Sequence, residues 1–368
     1  VTLRRLPVIE LLDHAAARRL GAEWDELLGD SSVTTPFLTW AWVGAWLDTI
    51  GADADLAVVV ARDADHGDLA GIAPFHIVRT RRGGVPVREL RMIGSGRTAA
   101  DHLDLIVRTS AGTDVAEALW RATNENRSWD LVDLDGVLSD GHLSRLVLQR
   151  TGDQPERIPA PYLPLTQDWE GVQARFGRSH RQNIGRYGRK LRSDADAPVS
   201  ERMVIDPADL DRSLDRLIEM HQAIRTSKGD PGVFGDPEST RFLRTVAHRM
   251  LQAGRLRMWS LDVGDRSIAI IWCMRAFDTV AFYTTGFDSE WSAYGPGRHI
   301  MARAIQGAAA EGATEFDFLR GDEDYKRSWG VEMRHDLRIR RPASSRGRAV
   351  WLARSVVRRL RRSRPGGD

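Results

Sequence analysis

The sequence predicts an α/β (α+β) fold: two tandem copies of one unit with mixed central sheets, followed by a basic C-terminal helix. Three observations carry this expectation. A strand–turn–strand, strand–helix–strand order occurs twice at similar spacing. Pro155, Pro159, Pro161 and Pro164 punctuate the stretch between the two occurrences. The chain has 368 residues, more than one typical core holds. The expected divisions are 1–165, 166–342 and a tail at 343–368.

In the first copy, helical spacing of apolar residues predicts helices over 13–28 and 39–50. The second places Trp42, Trp46 and Ile50 four apart, a core stripe. Strands follow at 56–62 and 69–79, joined by the turn Asp63-Ala64-Asp65-His66-Gly67-Asp68. Further strands are expected at 88–93 and 102–107, then a helix at 114–124, a strand at 131–134 and a helix at 142–150. In the second copy a basic helix over 169–192 precedes a strand at 202–205 and helices at 209–225 and 237–252. Strands at 255–263 and 267–276 flank the turn Gly264-Asp265-Arg266. A strand at 280–285, a glycine turn, a helix and a strand at 316–319 complete it.

Totals exclude several classes. Hydrophobic content of 42% with 28% charge is ordinary for a globular protein, and no long apolar run spans a membrane. Without a signal-like start, and with Cys273 alone in an apolar run, a cytoplasmic, reducing setting is expected. Net charge is +2, yet residues from Leu337 onward carry eleven Arg and one acid, so residues 1–336 stand at −8. The scattered His residues lack metal-ligand spacing, so no metal is expected. G-x-S-x-G, the dinucleotide G-x-G-x-x-G and the Walker pattern are all missing, which disfavours a serine hydrolase, nicotinamide cofactors and ATP.

The copies differ where the helix begins. The first helix opens on Thr113-Asp114, whose acid repels phosphate. The second opens on Tyr294-Gly295-Pro296-Gly297-Arg298-His299, with no acid between Glu290 and Glu311. Free N–H groups at such a start favour an anion. One strand away lies the run Asp317-Phe318-Leu319-Arg320-Gly321-Asp322-Glu323-Asp324-Tyr325-Lys326-Arg327. Asp317 interrupts an apolar strand and so needs a partner or a purpose. Tyr325 is a candidate general acid toward a leaving thiolate, and Asp322 a candidate base for an amine. The basic helix, with Arg181 and Arg186 among its cations, suits an anionic substrate or a solvated face; its thin aromatic content argues against nucleic acid.

The runs SHRQNIGRYGRKL, SAYGPGRHIMARAI and FDFLRGDEDYKRSWG together resemble the CelD-type acyltransferases of the GNAT superfamily, which are linked to exopolysaccharide or cellulose biosynthesis and related to FemAB-type transferases. The resemblance implies two GNAT-like domains, acetyl-CoA or another acyl-CoA as donor, and a primary amine as acceptor, such as a small molecule, a nucleotide-sugar or a polysaccharide precursor. It implies that Tyr294, Gly295, Gly297, Arg298 and His299 hold the donor pyrophosphate. The thioester carbonyl would lie along 282–286, with Tyr283 and Thr285 at the donor. Arg181, Arg186 and Lys326 would meet the acceptor. The leading Gln or Arg of the usual Q/R-x-x-G-x-G/A pattern is missing, so an aminoacyl-tRNA donor, as in FemAB-type relatives, stays open. A non-catalytic scaffold in a polysaccharide-synthesis complex is the third alternative.

In the tail, Ala349, Leu352, Ala353, Val356, Val357 and Leu360 form a helical stripe bordered by Trp351 and many Arg. Such a helix suits peripheral contact with an anionic membrane, or docking on the acidic body.

Overall fold

The computed structural model describes residues 7–33, 35–125, 128–148, 154–227 and 229–362, with side chains as far as 353. Strand β1 (Val8–Leu12) leads into helices α1 (His14–Arg19), α2 (Gly21–Gly29) and α3 (Trp40–Asp48). Strands β2 (Asp55–Arg62), β3 (Leu69–Arg82), β4 (Val85–Met92) and β5 (Ile106–Val107) follow. Helix α4 (Thr113–Glu125), β6 (Leu131–Leu138) and α5 (His142–Leu148) end the first half. Next come β7 (Glu156–Pro164), α6 (Trp169–Ala174), α7 (Arg178–Asp194), β8 (Val199–Met203), α8 (Pro207–Ser227) and α9 (Pro237–Gln252). The remainder is β9 (Leu256–Val263), β10 (Arg266–Ala276), β11 (Thr279–Phe287), α10 (Pro296–Ala310) and β12 (Glu315–Asp317). After these lie α11 (Asp324–Arg327), β13 (Glu332–Pro342) and α12 (Ser345–Arg362).

The strands form one mixed sheet in the order β1-β2-β3-β4-β6-β13-β7-β12-β11-β10-β9-β8, with β5 beside β3. Followed inward from either edge, the pattern is the same. Four antiparallel strands are succeeded by a parallel pair, β4 with β6 or β11 with β12. Each half is then closed by an antiparallel strand from elsewhere in the chain: β13 pairs with β6, and β7 pairs with β12. The tandem α/β architecture is therefore as expected, but the halves exchange their closing strands.

Several local expectations change. The proline-rich crossover is strand β7, with neighbours on both edges. Pro159 and Pro161 lack N–H donors on one edge. There the chain after β12 donates instead, Phe318 N–H to the Pro161 carbonyl at 3.0 Å and Gly321 N–H to the Pro159 carbonyl at 2.9 Å. A regular ladder cannot continue along that edge, and β12 stops after three residues. Strands β1 and β13 were not expected. The basic helix over 169–192 is broken into α6 and α7, because Gly177 takes an extended ψ of 136°. The strand expected over 102–107 shrinks to Ile106–Val107, since His102 sits in the left-handed region at φ 57°.

The core matches the periodicity. Trp42 and Trp46 are buried, and α3 packs on α9, so the halves share one apolar interior. Cys273 is fully buried, which pushes its thiol pKa up. Helix α12 docks through Val350, which packs with Val87 and Leu131, and through Trp351 beside them. Ala349, Leu352 and Ala353 of the expected stripe are exposed, so docking uses a different face. The side chains of Val356, Val357 and Leu360 lie outside the described residues. Among the described residues no helix is long and apolar enough to cross a membrane.

Candidate active site

Each half has one parallel strand pair, and in each the pairing is short. Strand β11 pairs with β12 through Thr279, Val280 and Ala281; beyond Ala281 that edge of β11 has no strand partner among the described residues. The opposite edge stays paired with β10 as far as Phe287, with a bulge that makes Tyr283 the extra residue between Phe282 and Thr284. A notch results between diverging parallel strands, lined with backbone groups that a ligand can use.

The first half builds the same notch and fills it. Strand β4 pairs with β6 only at Glu89 and Leu90. The chain between β4 and α4 then returns along β6. Leu103 N–H donates to the Gly136 carbonyl at 2.8 Å, and Leu138 N–H donates to the Leu103 carbonyl at 3.0 Å. Among the described residues, the corresponding place in the second half is open. Its notch opens into a cleft of about 1120 Å³ lined by β11, the start of α10, residues 318–329, α7, α8 and the loop carrying Ala99 and Asp101.

Several expected donor residues meet at this cleft. Gly295 has φ 58°, caps α10 without a side-chain hydrogen bond, and precedes a first turn free of acids. Arg298 and His299 N–H both return to the Gly295 carbonyl, at 3.0 and 3.1 Å. This leaves fewer free donors at the turn than expected, with Gly297 lining the cleft beside Arg298. Tyr283 and Thr285 also line it; the Tyr283 hydroxyl donates to the Thr98 carbonyl at 3.1 Å, and Thr285 Oγ1 to the Ile270 carbonyl at 2.9 Å. Tyr325 lines it too, 47% exposed. Desolvation and the nearby Glu323 carboxylate raise its hydroxyl pKa, so the proton stays on at neutral pH.

Other expected residues are placed elsewhere. His299 points away from the cleft: its Nε2 meets Glu201 Oε1 at 2.6 Å on the opposite side of α10. Tyr294 lies outside the cleft lining, with its hydroxyl 3.4 Å from Asp194. Arg181 and Arg186 are exposed on α7, the first reaching the Gln173 carbonyl and the second lying over the Tyr187 ring. Asp322 is drawn off by a two-point ion pair with Arg327. Lys326 is at the cleft wall but 3% exposed, and its ammonium is spent on the loop before it. It donates to the Arg320 carbonyl at 2.7 Å and pairs with Glu323 at 2.9 Å. A loop clamp, rather than a substrate contact, accounts for it.

Asp317 is also fully engaged by its neighbours. It is 1% exposed and accepts from His102 Nε2 and Arg334 Nη2, each at 2.7 Å, and from Leu319 N–H at 2.8 Å. Burial alone would raise its pKa, but the His102 and Arg334 cations outweigh this and hold it at about 2. His102 is bound on both sides, its Nδ1 lying 3.0 Å from Asp336. Burial would lower its pKa; the two carboxylates instead keep it well above the usual histidine range. This triad fixes the segment that plugs the first notch against the strands bordering the second.

Sequence reasoning missed the residues brought from a distance. Asp101 lines the cleft and receives Arg320 Nε at 2.6 Å and Arg320 N–H at 3.0 Å. Burial raises its pKa, against the pull of Arg320, to about 6. Tyr187 and His180 of α7 also face the cleft. Both lie in the SHRQNIGRYGRKL run, whose dense charge gives no sign of which face meets a cleft.

Residues 178–327 match the family model described as Acetyltransferase (GNAT) domain. Among solved structures the chain is similar to FemX, with a TM-score of 0.62 at 10% identity, covering 89% of this chain and 95% of FemX. It is also similar to L-PGS from Bacillus licheniformis, with a TM-score of 0.51 at 9% identity, covering 92% and 96% of the two chains. A conserved protein of unknown function from Bacteroides thetaiotaomicron gives a TM-score of 0.52 at 13% identity, covering 91% and 100%. No curated protein sequence matches. The chain therefore carries, over residues 178–327, a stretch similar to the GNAT acetyltransferase domain, within a fold similar to that of FemX.

Proposed function

We propose that the chain is an acyl-CoA-dependent N-acyltransferase that moves an acyl group directly to a primary amine, in polysaccharide or envelope metabolism. One observation carries the reading: of two equivalent notches, one is plugged by its own chain, and the other is open beside an acid-free helix start. The donor diphosphate would lie at Gly297 and Arg298, where the helix dipole and a cation favour it. The pantetheine arm would enter between the diverging strands. The thioester carbonyl would lie along the unpaired edge of β11 at 282–286, whose N–H groups can polarise it. A neutral amine attacks, the C–N bond forms and the C–S bond breaks; the Tyr325 hydroxyl protonates the departing thiolate, and the proton shed by the amine returns through water to the Tyr325 phenolate. Carboxylates at the mouth, Glu323 and Asp324, suit an acceptor that arrives as an ammonium.

A second reading, an aminoacyl-tRNA donor, is favoured by the extent of the FemX likeness and by the exposed cations of α7. Free-thiol release from acyl-CoA, assayed across a panel of amines, tests the first reading. Retention of aminoacyl-tRNA at physiological salt, with no thiol release, would replace it by the second. Neither binding nor turnover would leave the scaffold.

A further inference from the structure

A polar nitrogen buried without a partner is costly, so an orphan in the wall of an open cleft points to a group that arrives with the ligand. His180, in the first turn of α7, is such a case. It is 8% exposed, it lines the cleft, and its Nε2 meets no partner among the described residues. Two aromatic rings hold the imidazole edge-on. Its centroid is 4.3 Å from that of Trp329 at 77°, and 6.3 Å from that of Phe176 at 84°. Trp329 in turn packs 6.5 Å from Phe318, which follows β12 where the strands diverge. The ring is therefore held in the cleft wall, its Nε2 covered by its neighbours in the resting chain. His221 also has an orphan Nε2, but its ring is wedged against Gly232, where an added Cβ would meet Cε1 at 2.4 Å.

We propose that His180 is a catalytic residue, the base that takes the proton of the attacking amine; this rests on the acyl-transfer reading above. With its own proton on Nδ1, the ring offers a lone pair at Nε2. As the amine nitrogen bonds to the acyl carbon and the C–S bond breaks, the N–H proton passes to Nε2. The thiolate takes the Tyr325 proton. The imidazolium then returns a proton through water to the Tyr325 phenolate. Both side chains are restored, and the net change is amine plus thioester to amide plus thiol.

The resting chain keeps this base neutral. Burial and the Arg298 guanidinium hold its pKa down at about 4. Of the groups against the ring, Phe176 and Trp329 are uncharged and Arg298 is the cation. A donor diphosphate beside Arg298 offsets that charge, so the base strengthens only once the donor is in place.

Calorimetry with CoA tests the underlying reading, and NMR titration of the His180 ring, assigned against His180→Gln, tests the inference. CoA should bind, and saturation should move the ring's titration midpoint up by about one pH unit. His180→Gln and His180→Ala should keep CoA affinity within about threefold and lose about 10²–10⁴-fold in kcat. Added imidazole should recover about tenfold of the loss in His180→Ala, which a purely structural role would not allow. CoA binding together with near-normal kcat in both variants overturns the inference alone. So does CoA binding with an unmoved midpoint and no imidazole rescue. Failure of the wild-type chain to bind CoA overturns the donor reading and the inference with it.

Discussion

Replacing His102 with Ala puts the buried triad to a quantitative test. The imidazolium is 7% exposed between Asp317 and Asp336, whose side chains are 2% and 1% exposed. Removing one member of a buried ionic set costs about 3–5 kcal/mol, mostly because the remaining charges stay buried and uncompensated. Each carboxylate keeps another donor in the variant. Asp317 retains Arg334 Nη2 at 2.7 Å, and Asp336 retains the backbone N–H of residue 102 at 2.8 Å. The lower end, about 3 kcal/mol, is therefore expected. At roughly 2 °C per kcal/mol for a chain of this size, thermal unfolding should fall by about 6 °C. The sign of the pH dependence follows from the shifts. His102 has a raised pKa, so its contribution is full below its unfolded value of about 6.5 and is lost as pH rises through the folded value. Asp317 has a lowered pKa, so its contribution is full above its unfolded value of about 3.9 and is lost as pH falls toward about 2. The gap between wild type and variant should thus be widest from about pH 4 to 6.5 and narrow on either side. Calorimetric unfolding across pH measures it. A variant melting within 1 °C of wild type at pH 6, or a gap indifferent to pH, would refute the argument.

Two other perturbations read the cleft and the tail. Tyr325→Phe should cut kcat by about 10²–10⁴-fold while leaving CoA affinity unchanged; equal turnover would make Tyr325 structural. Leu352 is 65% exposed on α12 beside the docked Val350. If the exposed stripe meets a membrane, Leu352→Asp should abolish sedimentation with phosphatidylglycerol vesicles and spare both melting temperature and turnover. Unaltered sedimentation would remove the membrane reading.

Local patterning made the repeat and the open site legible. Alternating strands, glycine turns and the acid-free helix start are encoded within a few residues, and Gly295, Gly297 and Arg298 line the cleft. What was not legible depends on partners far along the chain. Pro159 and Pro161 read as punctuation between the copies because the strands they pair with, β12 and β13, come from far along the chain. Asp317 read as a catalytic candidate because its partners, His102 and Arg334, arrive from other segments. Lys326 and Asp322 read as substrate and catalytic groups, yet neighbours within a turn or two claim both. His180 went unnoticed because orphan status is a property of the packed molecule.

Calorimetric titration with CoA tests the central claim most directly, using wild type, Gly297→Ala and Gly297→Asp. An added Cβ at Gly297 would meet the Phe287 ring at 3.2 Å, so the Ala variant isolates that crowding from charge. One site per chain is predicted for wild type, since the first notch is filled. Gly297→Ala should weaken binding modestly, and Gly297→Asp should abolish it by placing a carboxylate where the helix start favours a phosphate. Two sites per chain, or equal affinity in the Ala and Asp variants, would contradict the account.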